Sequence, residues 1–324
     1  MISVKLFIMR EPVVPQYCQD LIIISGMPRS GKTLLAPLVS SMEDVEMFHV
    51  EYLLETLPFL RGCDMLSSEG QIYLLQYAVK ILSFNRSIGR NMNVRPFDET
   101  SILNANNPQK YLERLSLDAD IDIGKDYTFP LSLLLHNGLT YVDILCAAFD
   151  KIKVFNICSH PIDVVTAWVE KEYGKDSTYK KKNIALPVFN WKGNVLPSYA
   201  IGWEDEYIKL NETDRVISML HQLHLHEIDS LSKVIDKDRD KLLMVNYDNL
   251  VTNIDLELER VGSHLGRSAT SFTNKVMQKS ELIDRKKSIT NKDKKMEIIK
   301  RNASDAAIKK LNEWIESFNQ FTFQ

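Results

Sequence analysis

Short apolar runs followed by amphipathic stretches predict that strands and helices alternate along this chain. Three runs, 21–25, 153–158 and 242–247, have the length and composition of strands buried on both faces, and 44–49 is a further strand candidate. Helical patterns begin at Thr33 and cover 51–60, 69–84, 108–117, 140–149, 162–173 and 248–265. This alternation predicts an α/β fold with three layers, in which helices flank a mostly parallel sheet.

Two segments depart from the alternation. Residues 174–198 mix lysines, aromatic residues and prolines, as is typical of a long surface loop or lid. Residues 275–310 hold 12 basic and 5 acidic residues, a charge run of the kind that usually forms a solvated helical face. Since no repeat or flexible linker divides the chain, we expect one domain over 1–324. Its core would span about 20–270, with a basic, helical C-terminal extension over 271–324.

Composition excludes several classes of protein. The 324 residues are 44% apolar, which is enough for a large core and argues against disorder. A net charge of −3 disfavours a dedicated nucleic-acid binder. No apolar run reaches the roughly 18–20 residues of a membrane span, and no secretion signal is evident. The four widely spaced cysteines indicate neither disulfides nor a zinc site. We therefore expect a cytoplasmic protein without a bound metal.

Residues 26–33 carry the clearest chemical motif, with the spacing Gly-x-x-x-x-Gly-Lys-Thr between a predicted strand and a predicted helix. Glycines at 26 and 31 allow backbone amides to converge on a phosphate, and the helix N-terminus adds a favourable field. Lys32 can reach phosphate oxygens, and the Thr33 hydroxyl can bind phosphate or a metal. The candidate phosphate ligands are Gly26, Pro28, Arg29, Ser30, Gly31, Lys32 and Thr33.

The loop sequence Ser-Gly-Met-Pro-Arg-Ser-Gly at 25–31 resembles the 5′-phosphosulfate loop of sulfotransferases. Residues 247–251 (Tyr-Asp-Asn-Leu-Val) and 159–165 (Ser-His-Pro-Ile-Asp-Val-Val) are similar to two further segments of that family, in the same order. The resemblance implies a P-loop fold and 3′-phosphoadenosine 5′-phosphosulfate as donor. It also implies transfer of a sulfuryl group to a hydroxyl or amine of a carbohydrate or other small acceptor. Arg29 occupies the loop cation position of the family, and Lys32 adds a second cation.

Three departures from the family pattern affect the donor site. Ser159 stands where the family has the arginine that binds the 3′-phosphate, and Ala167 stands at a later serine. A serine cannot supply the charge or the bidentate contact of a guanidinium. Thr166 or the cluster Arg285, Lys286 and Lys287 are candidates to compensate. Lys32 stands where the family usually has threonine, which makes the loop similar to that of P-loop kinases.

A base must accept the proton of the acceptor group. Related protein-tyrosine sulfotransferases have a glutamate just past the second strand, and His49 and Glu51 fall in this region. Both are candidate bases, because either a neutral imidazole or a carboxylate can serve. The alternatives are that Glu51 begins a helix and that His49 is a packed residue at a strand end.

Two groups of side chains are weaker candidates. Trp191, Tyr199, Trp203 and Tyr207 border the predicted loop and could form a wall for the acceptor, or simply pack. His221, His224, His226 and Glu227 invite a metal site, but on a helix His226 lies off the face shared by His221 and His224. An amphipathic helix with incidental histidines explains this group better.

Two other functions remain open on the sequence alone. A small-molecule kinase using ATP and magnesium is compatible with Lys32 and Thr33, and Asp248, after an apolar strand, could hold the metal. A non-catalytic nucleotide-binding module is compatible with Ser159 and Ala167.

Overall fold

The computed structural model describes residues 20–116, 130–181, 186–280, 285–287 and 289–321. Several parts of the sequence-based predictions lie outside the described residues: Cys18, the last residue of the predicted helix 108–117, and portions of the segments 174–198 and 275–310.

Five parallel strands form the central sheet, which confirms the predicted α/β fold with a mostly parallel sheet. They are β1 (Leu21–Ser25), β2 (His49–Val50), β3 (Leu131–Leu134), β4 (Ile152–Cys158) and β7 (Leu242–Asn246), in the spatial order β2-β3-β1-β4-β7. Every neighbouring pair is parallel. Two short strands, β5 (Val188–Trp191) and β6 (Asn194–Pro197), form a separate antiparallel hairpin.

The helices connect these strands and cover the sheet. In chain order they are α1 (Lys32–Ser40), α2 (Tyr52–Gly62), α3 (Ser68–Ser87), α4 (Pro108–Leu115), α5 (Val142–Ala148), α6 (Pro161–Glu170), α7 (Asp176–Tyr179), α8 (Glu204–Tyr207), α9 (Glu212–Lys233), α10 (Tyr247–Thr252), α11 (Ile254–Leu265), α12 (Ser271–Lys279), α13 (Lys292–Asn302) and α14 (Asp305–Phe321). Among the described residues, no helix is both long and apolar enough to traverse a bilayer.

Alternate residues of β1 point into two different apolar clusters, which shows that the sheet is buried on both faces. Ile22 and Ile24 pack with α1 and α11 on one face. Leu21 and Ile23 pack with α2, α3 and α5 on the other. This double burial is why the strand is a continuous apolar run with no polar alternation. A third cluster joins α6, α9 and α14 beside the sheet.

The predicted strand at 44–49 is largely wrong, because only His49–Val50 pairs with β3. The backbone groups of the residues before it form hydrogen bonds with side chains of neighbouring helices. The Met47 amide donates to the Tyr111 hydroxyl at 2.7 Å, and the Met47 carbonyl accepts from Arg86 at 2.8 Å. The Phe48 amide donates to the Ser40 hydroxyl. These bonds replace a sheet ladder.

Three other elements differ from the sequence-based expectations. β3 was not predicted, although it lies between β2 and β1. The segment predicted as a loop or lid contains the β5–β6 hairpin, which turns at Lys192 and Gly193, both at positive φ. The predicted helix 248–265 is two helices that meet at Asn253, whose φ of −131° is not helical.

Candidate functional site

The loop 26–31 leaves β1 at the carboxyl edge of the sheet and leads directly into α1. Gly26 and Gly31 have φ of 150° and 103°, values that other residues rarely adopt. Space is equally restrictive. A Cβ on Gly26 would lie 2.5 Å from the Ile157 carbonyl oxygen, and one on Gly31 would lie 2.3 Å from the Tyr247 ring. The structure thus requires glycine at both positions of the motif.

Each neighbouring strand end contributes a contact that holds this loop. After β3, the Asn137 amide donates to the Gly26 carbonyl at 3.2 Å. After β4, the Ser159 hydroxyl donates to the Ser30 carbonyl at 2.8 Å. From α6, the Trp168 indole donates to the Pro28 carbonyl at 2.8 Å. Three carbonyls of the loop are therefore engaged from outside it. Such bonds fix the loop before any ligand arrives.

Lys32 lies under the loop, whereas Arg29 and Thr33 are exposed above it. The Lys32 ammonium group donates to the Gly26 and Met27 carbonyls, both at 2.7 Å. Burial lowers the pKa of Lys32 to about 7, although the carboxylates of Glu55 and Glu227 oppose this shift. In this arrangement Lys32 braces the loop from below, and Arg29 is the exposed loop cation.

A cleft of about 760 Å³ opens at the loop and is strongly cationic. Its described lining residues include two acids, Asp163 and Glu170. They also include six basic residues, of which Lys32 has its side chain under the loop: Arg29, Lys32, Arg285, Lys287, Lys294 and Lys295. Lys295 forms an ion pair with Asp163 at 2.5 Å, which ties α13 to α6 across the cleft. This excess of positive charge suits a ligand that carries several negative charges.

The predicted 3′-phosphate residues have different placements. Ser159 and Ala167 line the cleft, but the Ser159 proton is already used on the loop. Thr166 also lines it and donates its own proton to the Ile162 carbonyl at 2.8 Å. From the basic cluster, Arg285 and Lys287 line the cleft, whereas Lys286 is exposed and is not among the described lining residues.

An aromatic pocket of about 220 Å³ adjoins the cationic cleft, and both share Pro28, His136 and Tyr173. Its other lining residues are Tyr52, Glu55, Trp168, Tyr179, Leu186 and Tyr199. Glu55 Oε1 accepts from the His136 backbone amide at 2.6 Å and lies 2.9 Å from His136 Nδ1. The His136 ring also stacks on Tyr52, with 6.2 Å between ring centroids. A carboxylate-supported imidazole therefore lies where the two cavities meet.

His49 and Glu51, the bases suggested by the sequence, lie elsewhere and contact each other. His49 Nε2 is 3.5 Å from Glu51 Oε2, and Glu51 caps α2 by accepting from the Leu53 amide at 3.1 Å. Hydrogen bonds from the His49 imidazole and from the Leu53 amide lower the pKa of Glu51, although partial burial opposes this shift. Neither residue is among the described residues that line the cleft or the pocket. Glu51 therefore caps the start of α2, which was the alternative to a role as base.

Of the four predicted wall aromatics, Tyr199 lines the pocket. Trp191 instead donates its indole proton to Asp205 at 2.9 Å, and Tyr207 is fully buried and packs edge-on against Trp203.

The histidines of α9 mostly face α14. His221 lies 3.5 Å from Glu313, and His224 bonds to the Ser317 hydroxyl at 2.8 Å, whereas His226 is exposed. Throughout the described ranges, no group of three or more His, Cys, Asp or Glu residues could hold a metal ion.

Sequence reasoning missed Glu55 and His136 because they lie 81 positions apart, in elements that only the sheet brings together. β2 pairs with β3, so α2 begins beside the residue that follows β3. One clue was available: His136 follows the largely apolar run 131–135 and precedes Asn137 and Gly138. Such a pattern indicates a buried strand that ends in a polar turn, the usual place for site residues in α/β sheets.

No protein-family model matches the chain, and a search of curated proteins finds no match. Among solved structures, the sulfotransferase domain from the curacin biosynthetic pathway is 14% identical, with 78% of this chain and 76% of that chain covered and a TM-score of 0.40. The sulfotransferase domain from the Synechococcus PCC 7002 olefin synthase is 15% identical, with coverages of 82% and 80% and a TM-score of 0.40. Sulfotransferase STF1 from Mycobacterium tuberculosis H37Rv is 12% identical, with coverages of 85% and 77% and a TM-score of 0.39.

Proposed function

We propose that the chain transfers a sulfuryl group from 3′-phosphoadenosine 5′-phosphosulfate to a hydroxyl or amine of a small acceptor. One observation carries this proposal. A cationic cleft at a phosphate loop meets an aromatic pocket at Pro28 and His136, and His136 is supported by Glu55. The first cavity suits a polyanionic donor, and the second suits an acceptor whose proton must be removed.

The described residues of the cleft fit the charge of this donor at both of its ends. Loop amides, Arg29 and Thr33 would hold the 5′-phosphosulfate, because Arg29 and Thr33 are exposed in the cleft. The 3′-phosphate would be held by cations of the C-terminal segment, among them Arg285, Lys287 and Lys294. Supply of this charge by the C-terminal segment would explain how a serine is tolerated at 159.

In the transfer, the acceptor oxygen or nitrogen forms a bond to sulfur as the bond from sulfur to the 5′-phosphate oxygen breaks. The acceptor proton passes to the base, and the bonding electron pair stays on the leaving 5′-phosphate oxygen. Arg29 and the loop amides stabilise the negative charge that develops there. Because the loop is held in place by Asn137, Ser159 and Trp168, its donors need little reorganisation.

His136 is the base that the geometry supports. An ionised Glu55 carboxylate can only accept hydrogen bonds, so His136 Nδ1 carries the ring proton at their 2.9 Å contact. This tautomer leaves His136 Nε2 with a free lone pair, and Glu55 then stabilises the imidazolium that forms. Glu55 is a positioning residue in this scheme.

The kinase alternative finds less support at its proposed metal ligand. Asp248 forms an ion pair with Lys292 at 2.5 Å and is not among the described residues that line the cleft. A magnesium ion held by Asp248 would have to compete with this ammonium group.

Calorimetric titration of the full chain with adenosine 3′,5′-bisphosphate, and separately with ATP and magnesium, tests the donor. We expect the bisphosphate to bind without added metal. If ATP binds in the presence of magnesium and the bisphosphate does not bind, the result would favour the kinase and contradict the proposal. No binding of either nucleotide would favour a module with a different ligand and would also contradict it.

Transfer of radiolabelled sulfate from the donor to a panel of small alcohols and amines tests the chemistry. Arg29→Ala should lower the rate about 100-fold or more, because a preorganised donor to the leaving group is lost. Arg95→Ala, at an exposed arginine outside both cavities, is the matched control. His136→Gln should lower the rate about 100-fold or more without weakening bisphosphate binding. If His49→Gln lowered the rate and His136→Gln did not, the base would be His49 of β2 and not His136.

A further inference from the structure

We infer that the aromatic pocket selects a small aromatic alcohol or amine in preference to a sugar. The inference concerns the acceptor of the proposed function and rests on that function for its chemistry, but the pocket itself can be tested without the donor. Three features of the pocket support it: the rings in its wall, the internal use of their polar atoms, and its volume.

Aromatic rings form most of the wall and contact one another. Trp168 meets Tyr173 edge-on at 5.0 Å between centroids and lies tilted against Tyr199 at 5.6 Å. Tyr52 stacks on His136 with an interplanar angle of 8°. A flat aromatic guest can extend this set by further offset or edge-to-face contacts.

The polar atoms of several of these rings are already used inside the protein. The Trp168 indole donates to the Pro28 carbonyl at 2.8 Å. The Tyr179 hydroxyl donates to the Tyr173 carbonyl. The Tyr199 hydroxyl accepts from the Asn137 side-chain amide at 2.9 Å. A sugar that entered would exchange many hydrogen bonds with water for few with this wall, and each buried unpaired hydroxyl costs free energy.

Glu55 and His136 form a polar contact on one side of this wall, and no lysine or arginine is among the described lining residues. One hydroxyl or amine on the guest is enough to meet them. The volume of about 220 Å³ also limits the guest. Drug-sized ligands occupy pockets of roughly 300–1,000 Å³, so one or two fused rings are the size that fits here.

The test is calorimetric binding of three neutral probes to the full chain: 2-naphthol, its saturated analogue decahydro-2-naphthol, and methyl α-glucoside. We expect 2-naphthol to bind about 3- to 10-fold more tightly than the saturated analogue, the range expected of one aromatic pair. Methyl α-glucoside should bind more weakly than both. Glucoside binding as tight as that of naphthol, or no naphthol binding, would overturn the inference.

A matched pair of variants locates the naphthol site. Tyr52 and Tyr77 are each 47% exposed and each stacks on a neighbouring ring at 6.2 Å, but of the two only Tyr52 lines the pocket. Tyr52→Ala should weaken naphthol binding about 3- to 10-fold, and Tyr77→Ala should leave it unchanged. Equal effects of the two variants would show that naphthol binds elsewhere and would overturn the inference.

The two proposals fail separately. If the bisphosphate binds and naphthol does not, the donor assignment stands and the acceptor inference is wrong. If naphthol binds through Tyr52 and the bisphosphate does not, the pocket has the inferred selectivity and the proposed sulfuryl transfer is wrong.

Discussion

At the scale of single residues, Gly31 carries two separate constraints in the loop 26–31. Its φ of 103° is costly for any residue with a Cβ, and the Tyr247 ring occupies the space where that Cβ would lie. Gly202 has a similar φ of 88°, but a Cβ there would meet no atom within 4 Å. The pair therefore separates backbone strain from close packing.

We expect Gly202→Ala to lower the free energy of unfolding by about 1 kcal/mol, the cost of a strained φ alone. Gly31→Ala should cost more and should also abolish bisphosphate binding, because the loop must move away from Tyr247. Urea unfolding and calorimetric titration measure the two effects. Equal stability losses in the two variants would show that Tyr247 yields easily and that the contact does not constrain the loop.

Lys32 should make stability depend on pH in the alkaline range. Its folded pKa of about 7 lies below the ordinary lysine value of 10.5, so between these values the unfolded chain binds the additional proton. The free energy of unfolding contributed by this group should therefore rise from pH 7 to about pH 10. It is lowest below pH 7, where the buried ammonium is charged in the folded state.

Lys32→Met should flatten this rise, which denaturant unfolding at several pH values between 7 and 10 can measure. Lys300→Met, at an exposed lysine, is the control and should leave the slope of the wild type unchanged. If Lys32→Met kept the full slope, the pH dependence would belong to other groups and the burial of this ammonium would be compensated in the folded state.

At the scale of elements, local pattern was sufficient for β1, β4 and β7 and for the helices α1 and α6, because these strands are continuous, mostly apolar runs with clear ends. It did not separate α10 from α11. It failed where side chains from distant elements decide the backbone. The short β2 follows from bonds that Tyr111 and Arg86 make to Met47, and no window around 44–49 contains that information. β3 is four residues long, and its apolar run has no periodicity to separate strand from helix.

The same limit separates the predictable and unpredictable parts of the site. The loop 26–31 is contiguous, so its spacing alone predicted the turn between β1 and α1. Glu55 and His136 become neighbours only when β2 pairs with β3. A sequence window can suggest a base near the second strand, as it suggested Glu51, but the strand order decides which carboxylate meets the cavity.

Glu46 links α3 and α4 to the segment before β2 through buried charge. Arg114 contacts both of its carboxylate oxygens, at 2.7 and 3.2 Å, and Lys110 and Arg86 lie within 4 Å. Although burial opposes it, the Arg114 hydrogen bonds and the three cations lower the pKa of Glu46. A carboxyl with a lowered folded pKa stabilises above its unfolded pKa and loses that contribution as the pH falls through the folded value.

Glu46→Gln should lower the free energy of unfolding at pH 7 by about 3–5 kcal/mol, because it leaves buried cations without their partner. Part of the acid destabilisation below pH 4 should disappear in this variant, since the titrating group is gone. Glu113→Gln, at an exposed residue of α4, is the control. Denaturant unfolding at pH 7 and pH 3.5 gives both quantities. A loss equal to that of Glu113→Gln would mean that the buried cluster is energetically neutral.

At the scale of the whole molecule, the C-terminal helices participate in both the core and the cleft. Leu311 and Trp314 of α14 are buried in the cluster that contains Trp168 of α6 and Leu220 of α9. The Trp168 indole in turn donates to the Pro28 carbonyl of the loop 26–31. The segment expected to be a basic extension is thus connected to the loop through the cluster that contains Trp168 and through the bond from Trp168 to Pro28. Lys294 and Lys295, from α13 of the same segment, line the cleft.

This packing predicts that the described core and the C-terminal helices unfold together. Leu311→Ala, at a fully buried residue, should lower the free energy of unfolding by about 2–5 kcal/mol. Leu256→Ala, at a leucine that is 58% exposed on α11, should change it by less than about 0.5 kcal/mol. Circular dichroism and tryptophan fluorescence should report one coincident transition in all three proteins.

Saturating bisphosphate should raise the midpoint of that whole transition, because a ligand of the folded loop stabilises every element that unfolds with it. An early fluorescence transition in Leu311→Ala that leaves the main transition and the bisphosphate shift unchanged would show instead that α14 is an independent appendage.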